Sequence, residues 1–355
     1  MEVLTMTPGR LRFSRAAAMA LTLVLVLAAV VTVHRLNQIR AEQRRQAQRQ
    51  EAPAPAVPAP TTLPATTQPA PSHAGAEPAT RPAALALIPP GLAAVEQPQR
   101  SSRAMEEAQT LHAAGNLVAA RRVLNDALNA GKLSPADAAS ARRLISDINQ
   151  IVIFSPRRFA EDPFQTTHQV RTGDRLAKIA PQHEVTWELL CRINGISDPG
   201  RLRVGQVLKI IRGPFHAVVT KSTYTLDVYL GAPGEAGAMF VTSYPVGLGR
   251  DESTPTGTWI VEPHKKLKNP TYYSPRGEGV IEADDPRNPL GERWIGLAGM
   301  DGQAAGQASY GIHGTIEPQS IGRQESMGCI RLLNADVEVL YDLMVEGKST
   351  VIVKP

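Results

Sequence analysis

The chain has 355 residues, more than one compact domain needs, and a formal net charge of +5. The excess lies in residues 1–51, where eight Arg face three Glu. Residues 52–355 are net neutral, so nothing marks the folded part as a nucleic-acid binder. Only two cysteines, Cys191 and Cys329, are present; this argues against a disulfide framework, and both read as thiols.

Residues 16–33 (AAAMALTLVLVLAAVVTV) carry no charge. At helical rise they span roughly 27 Å, about one hydrocarbon core, and predict a single transmembrane helix. A cleaved leader is the competing reading. No small-x-small cleavage site follows the run, which favours an uncleaved anchor. Arg on both flanks leaves the orientation open by charge alone. Residues 52–100 hold 12 of the 29 Pro, mixed with Ala and Thr, and predict a disordered linker with a reach on the order of 150 Å.

Residues 101–155 predict a helical hairpin resembling one tetratricopeptide unit, read as a spacer or docking element. Gly115-Asn116 breaks the first run, and Ser134-Pro135-Ala136-Asp137 opens the second helix with a cap, a first-turn proline and a returning carboxylate. Residues 166–212 predict strand, helix, helix, strand. The strand Gln169–Arg171 precedes Gly173-Asp174; apolar helices follow, Asn194-Gly195 ends the second, and Val207–Ile211 closes the unit. Cys191 on the second helix reads as a buried structural thiol.

From residue 214 to 355 the pattern predicts a mostly-β domain. Tyr224, Leu226, Val228 and Leu230 alternate with Thr223, Thr225, Asp227 and Tyr229. A turn at Gly231–Gly237 leads to a second strand near Met239–Val246, with further strands near Thr258–Val261 and Trp294–Gly296. Asn334 is expected to cap a helix that Gly347 stops, before a last strand, Thr350–Val353.

Two segments carry chemistry: Tyr310-Gly311-Ile312-His313-Gly314-Thr315 and Ser326-Met327-Gly328-Cys329-Ile330-Arg331. Acyl transfer by cysteine needs a nucleophilic sulfur, a base and oxyanion donors. Cys329 can attack, and His313 can take its proton and return it to the leaving amine. Amides at Met327, Gly328 and Cys329 can bind the oxyanion. Arg331 is expected to lower the thiol pKa or to bind a substrate carboxylate. Ser326 reads as loop support. Ser-x-x-Lys, Gly-x-Ser-x-Gly, phosphate-loop and metal-ligand patterns are absent, so no metal, nucleotide or other cofactor is expected.

Residues 168–211 resemble a LysM domain through V-R-x-G-D-x-L-x-x-I-A, L-L-x-x-I-N-G and L-x-x-G-Q-x-L-x-I. That resemblance implies binding of peptidoglycan glycan by Gly173, Asp174, Arg175, Ile196, Ser197, Asp198 and Pro199. Residues 214–354 resemble the YkuD-like L,D-transpeptidase catalytic domain. His313-Gly314 stands before the Cys329 motif, supported by Pro245-Val246-Gly247, Thr254-Pro255-Thr256-Gly257-Thr258, Asn288-Pro289-Leu290-Gly291 and Arg293-Trp294-Ile295-Gly296.

The resemblance implies a thioester acyl-enzyme on Cys329 and cross-linking of peptidoglycan stem peptides as donor and acceptor. It also implies that the Gly314 carbonyl holds the His313 tautomer, and that carbapenems acylate the thiol. One position departs: Met327 stands where the family usually has His, and lower activity or a shifted pH profile is expected. An L,D-carboxypeptidase, a non-catalytic wall-binding scaffold and attachment of some other amine to the wall stay as alternatives.

The expected architecture is an α+β multidomain chain: residues 1–51 tail and anchor, 52–100 linker, 101–155 hairpin, 166–212 LysM and 214–355 catalyst. It is expected in the cell membrane, single-pass, with its C-terminal domains in the periplasm or cell-wall space.

Overall fold

The computed structural model describes residues 97–274, 277 and 279–355, with side chains from Arg103 onward. The predicted anchor 16–33 and nearly all of the predicted linker lie outside the described residues. Among the described residues, no helix is long and apolar enough to cross a membrane.

Three helices come first: α1 (Gln97–Ala113), α2 (Leu117–Asn129) and α3 (Pro135–Val152). The expected hairpin is thus a three-helix unit, and α1 begins inside the stretch assigned to the linker. Gly115, at φ +79°, makes the turn between α1 and α2. Ser134 caps α3, its Oγ accepting from the Asp137 amide at 3.1 Å. Ala141, Ile145, Ile148 and Val152 form one buried stripe on α3.

The second module pairs β1 (Gln165–Gln169) antiparallel with β2 (Val207–Ile211), with helices α4 (Leu176–Ile179) and α5 (Trp187–Asn194) between them. The first strand starts four residues before the expected Gln169–Arg171 and ends two residues before Arg171. The ladder ends at Gln169↔Val207, and the Arg171 amide is taken by Asp174 Oδ2 at 2.9 Å instead. Gly195 closes α5 in the left-handed conformation.

The remaining residues build a sheet. Its strands are β3 (Phe215–Thr220), β4 (Thr225–Leu230), β5 (Met239–Pro245), β6 (Leu248–Gly249), β7 (Gly257–Lys268), β8 (Tyr272–Tyr273), β9 (Val280–Ile281), β10 (Arg293–Gly299), β11 (Tyr310–His313), β12 (Gln324–Ser326) and β13 (Ile330–Arg331). Helix α6 (Asn334–Leu343) and β14 (Thr350–Lys354) complete the chain. Eight strands form one sheet in the order β13-β11-β10-β7-β14-β3-β4-β5; β6 pairs with β12, and β8 with β9. Leu226, Val228 and Leu230 alternate inward on β4. That strand starts only at Thr225, because Tyr224 takes φ +52° after a 3₁₀ turn at Lys221–Thr223.

Two endings differ from the sequence reading. Asn334 does not cap α6: Leu333 holds that position, without a side-chain bond. Helix α6 ends at Leu343, four residues before Gly347, whose amide donates to Val261 O at 2.8 Å.

Of the two expectations, spacer or docking element, the three-helix unit fits the second: it packs on β5, the last strand of the sheet. Asn125 grips the strand in the manner of a neighbouring strand. Its Oδ1 accepts from the Phe240 amide (2.9 Å), and its Nδ2 donates to Ala238 O (3.0 Å). Asn149 Nδ2 donates to Val241 O (2.9 Å), while its Oδ1 accepts from Arg121, which also pairs with buried Asp162 at 2.8 Å. An unpaired edge is thereby covered, and the unit's second apolar face finds a partner in Phe240.

The β2 strand is tied to the same helices. Buried Lys209 donates to Val152 O (2.6 Å), Ile153 O (3.0 Å) and Ser155 O (2.8 Å), three carbonyls at the end of α3. On the other side, Arg192 of α5 pairs with Asp342 of α6 at 2.7 Å. Thr186 Oγ1 donates to the Asp342 carbonyl while capping α5. One apolar cluster runs from Leu189 and Ile193 to Leu340 and Val351.

Candidate active site

The site forms at the β13 end of the sheet. Strands β11 and β13 run parallel, with Ile312 opposite Ile330 and His313 opposite Arg331. Register partners share a face, so His313 and Arg331 lie on one side of the sheet. Cys329, one residue before β13, falls in line with Gly311 on that side. Sixteen positions of chain are thus folded back to bring His313 and Cys329 to adjacent strands.

The loop that presents Cys329 is held at the Gly328 amide and at the Gly328 and Cys329 carbonyls. Ser326 Oγ donates to Cys329 O (2.6 Å) and accepts from the Gly328 amide (3.1 Å). Buried Thr254 donates to Gly328 O and accepts from the Gly249 amide, both at 2.9 Å. Gly328 sits at φ +126°, and a Cβ there would meet Tyr310 Cε1 at 2.7 Å. Trp259 backs Tyr310, ring centroids 5.0 Å apart. Gly328 is therefore packed back to back with Gly249 and against an aromatic wall, a position no side chain can take.

His313 is buried. Its Nδ1 lies 2.6 Å from Gly314 O, and its ring stacks on Trp294 at 5.7 Å. The carbonyl can only accept, so Nδ1 carries the proton and Nε2 is left as the basic nitrogen. Burial pushes the imidazole pKa down to about 4; the bond to Gly314 opposes this, and the Arg331 charge adds to it. Burial likewise raises the Cys329 thiol, against a backbone hydrogen bond from Gly311 and the Arg331 charge. The Arg331 charge thus acts on the thiol in the expected direction, without setting the sign of its shift. Desolvation outweighs it, and the guanidinium is paired to Glu317 at 3.0 Å. At neutral pH the resting pair is thiol and neutral imidazole.

Met327 is exposed at the mouth of the site (54%), so no packing depends on it. Trp294 and Thr254 both lie in the family-like stretches, and both touch the candidate site: Trp294 stacks on His313 and Thr254 bonds the Gly328 carbonyl. Trp294 also fills the volume a Cβ at Gly311 would occupy, at 2.5 Å. Asn334, read as a cap, instead turns to the loop after His313, with Oδ1 accepting from Thr315 N at 3.1 Å. Among the described residues, no group of three or more His, Cys, Asp or Glu is placed to hold a metal.

In the β1–β2 module, the predicted residues divide between two grooves. Asp174, Arg175 and Pro199 line one of about 510 Å³ with Trp187 and Leu202. Ile196, Ser197 and Asp198 line another, of about 700 Å³, with Arg201 and Arg203. Gly173 lies in neither lining; it takes φ +83° at the turn before Asp174. Asp174 is itself held by His168 Nε2 (2.8 Å) and the Arg171 amide, and its pKa is lowered by those bonds.

Comparison with known proteins agrees with this division. The family model for the L,D-transpeptidase catalytic domain (YkuD) matches residues 215–353, and that for the LysM domain matches 168–210. The chain is 37% identical over 143 residues to "Putative L,D-transpeptidase YqjB" of Bacillus subtilis, covering 39% of this chain and 72% of that protein. It is 30% identical over 188 residues to "Putative L,D-transpeptidase YkuD" of Bacillus licheniformis, covering 51% and 94%. Among solved structures, "L,D-transpeptidase from Mycobacterium smegmatis" is 19% identical with a TM-score of 0.28, over 42% of this chain and 64% of that one.

The fold and site define an enzyme of the peptidoglycan transpeptidase kind, with a loop cysteine and a strand histidine on one face of adjacent parallel strands. The chain belongs to the L,D-transpeptidase (YkuD) family, with a LysM domain preceding the catalytic domain.

Proposed function

We propose that the chain is a cysteine L,D-transpeptidase that forms peptidoglycan cross-links through a thioester on Cys329. The observation that carries this reading is the fixed His313 tautomer. With Nδ1–H donated to Gly314 O, Nε2 is free to take the thiol proton from the same face of the sheet. Attack of Sγ on the carbonyl of the third residue of a donor stem forms the C–S bond as the proton moves to Nε2. The oxyanion is held by backbone amides. Because Ser326 takes the Gly328 N–H, the Met327 and Cys329 amides are the donors assigned here, one fewer than the sequence suggests.

Collapse breaks the C–N bond, and His313 returns the proton to the departing D-Ala amine. An acceptor side-chain amine then attacks the thioester and gives its proton to His313, and the released sulfur is reprotonated. Conserving the amide energy in a thioester removes any need for ATP, which suits a reaction outside the membrane. The groove of Asp174, Arg175, Trp187 and Pro199 is assigned to the glycan, which raises the local substrate concentration. The apolar run 16–33 is assigned as a single-pass membrane anchor, leaving the C-terminal domains in the periplasm or wall space.

The test is product analysis by mass spectrometry. Full-length protein is incubated with disaccharide-tetrapeptides beside its Cys329→Ala variant. Dimers formed with loss of D-Ala, absent from the variant, are expected. Tripeptide monomers alone would reassign the enzyme as an L,D-carboxypeptidase. Absence of both, with retained binding to sacculi, would leave a wall-binding scaffold.

A further inference from the structure

Asn334 is the first residue of α6, yet its carboxamide turns away from the helix and enters the loop after His313. A Cβ on Gly314 would lie 2.0 Å from Asn334 Oδ1, and one on Gly291 2.1 Å, so both glycines make room for it. Oδ1 accepts from Thr315 N at 3.1 Å and from Glu292 N at 3.4 Å. The Thr315 N–H and the Gly314 C=O belong to one peptide unit, and that carbonyl is the acceptor of His313 Nδ1–H.

We propose that Asn334 is a positioning residue for the reaction, acting on His313 through the Gly314–Thr315 peptide. Holding the N–H from outside fixes the plane of the peptide and polarises its carbonyl toward the imidazole. Asn334 thus does through one peptide unit what a carboxylate does when it orients a histidine directly. A plain loop-pinning role would need only that some group bond Glu292 or Thr315. The arrangement found here places the histidine's own acceptor in the chain of bonds. The inference rests on the reading of His313 as the base for Cys329.

The charged and titratable groups on the imidazole's side of the sheet are Arg331 on β13, paired to Glu317, and the Cys329 thiol. Arg293 on β10 is paired to Glu292 and Glu338, and Asp336 stands on α6. None of these replaces the Asn334 bond.

The experiment compares full-length wild type, Asn334→Ala and Asn334→Asp. Ring-nitrogen NMR reads the His313 tautomer and its titration. The rate of Cys329 labelling by iodoacetamide is followed against pH by mass spectrometry of its own peptide, which separates it from Cys191. Wild type is expected to show the Nδ1–H tautomer. The alanine variant should lose that single tautomer and label roughly tenfold more slowly at neutral pH, the size of one hydrogen bond. The aspartate variant keeps the acceptor, so it should keep the tautomer, while its added charge moves the His313 midpoint to higher pH.

A folded alanine variant with unchanged tautomer and labelling would overturn the proposal. So would an aspartate variant whose His313 midpoint stays put, and this arm holds if alanine fails to fold. If His313→Ala leaves Cys329 labelling unaltered, the base assignment fails instead, and the tautomer spectra still decide the role of Asn334.

Discussion

At the scale of single residues, the neutral resting pair sets the pH behaviour. His313 takes up a proton only as pH falls to about 4, and the thiol pKa is raised rather than lowered. The pH profile of kcat/KM should therefore show an acid limb near 4 and a plateau through neutrality; a limb near the ordinary imidazole value of about 6.5 would contradict the burial argument. Stability follows the same group. The folded value lies below the unfolded one, so the contribution of neutral His313 is complete above about 6.5 and is lost as pH falls toward 4. Met327 offers a second check. Since its side chain is exposed, Met327→His should leave the melting temperature unchanged. It should raise the rate of Cys329 acylation by a carbapenem or shift its pH optimum, read by intact-mass kinetics. No change in either would mean that this departure from the family pattern is silent.

At the scale of elements, the informative contact is α2 and α3 on β5. Asn125 satisfies a buried N–H and a buried C=O of the edge strand. Asn125→Ala strands both, and a loss of about 1–3 kcal/mol is expected in urea unfolding. Asn125→Asp keeps the acceptor but removes the donor and buries a charge, so it should be no milder. Lys209 does the equivalent for the end of α3. Replacing it by Met keeps the aliphatic stem but abandons three carbonyls, and should destabilise by a similar amount; an unchanged midpoint would show that those carbonyls find other partners.

At the scale of the whole molecule, the helices, the LysM domain and the sheet share buried contacts. The described residues fall within one compact unit. Arg192–Asp342 and the apolar cluster join LysM to α6, and Lys209 joins it to α3. Hydrogen exchange should accordingly give core amides of α5 and β3 similar opening free energies. Early, separate opening of α5 would instead describe a loosely tethered module. A docked LysM also fixes the direction in which its groove faces relative to the catalytic face, which a flexible tether would not.

What the sequence by itself determined is local or carried by contiguous motifs. The strand–helix–helix–strand order of LysM, the α5 end at Asn194-Gly195 and the β4 alternation follow from short-range periodicity and turn chemistry, while Cys329 and His313 stand out through the resemblance of their motifs to those of the family. What only the tertiary structure decided is every property that depends on a neighbour distant in sequence. A third helix and the cover on β5 needed the fold, because an asparagine on a polar helix face looks like a solvated residue until a strand meets it. The direction of the Cys329 shift needed burial, because a nearby arginine lowers a thiol pKa only until desolvation exceeds the Coulomb gain. Asn334 reads as a helix cap in one dimension; its bond to Thr315 exists because α6 starts where the His313 loop passes, a closeness that no spacing along the chain encodes.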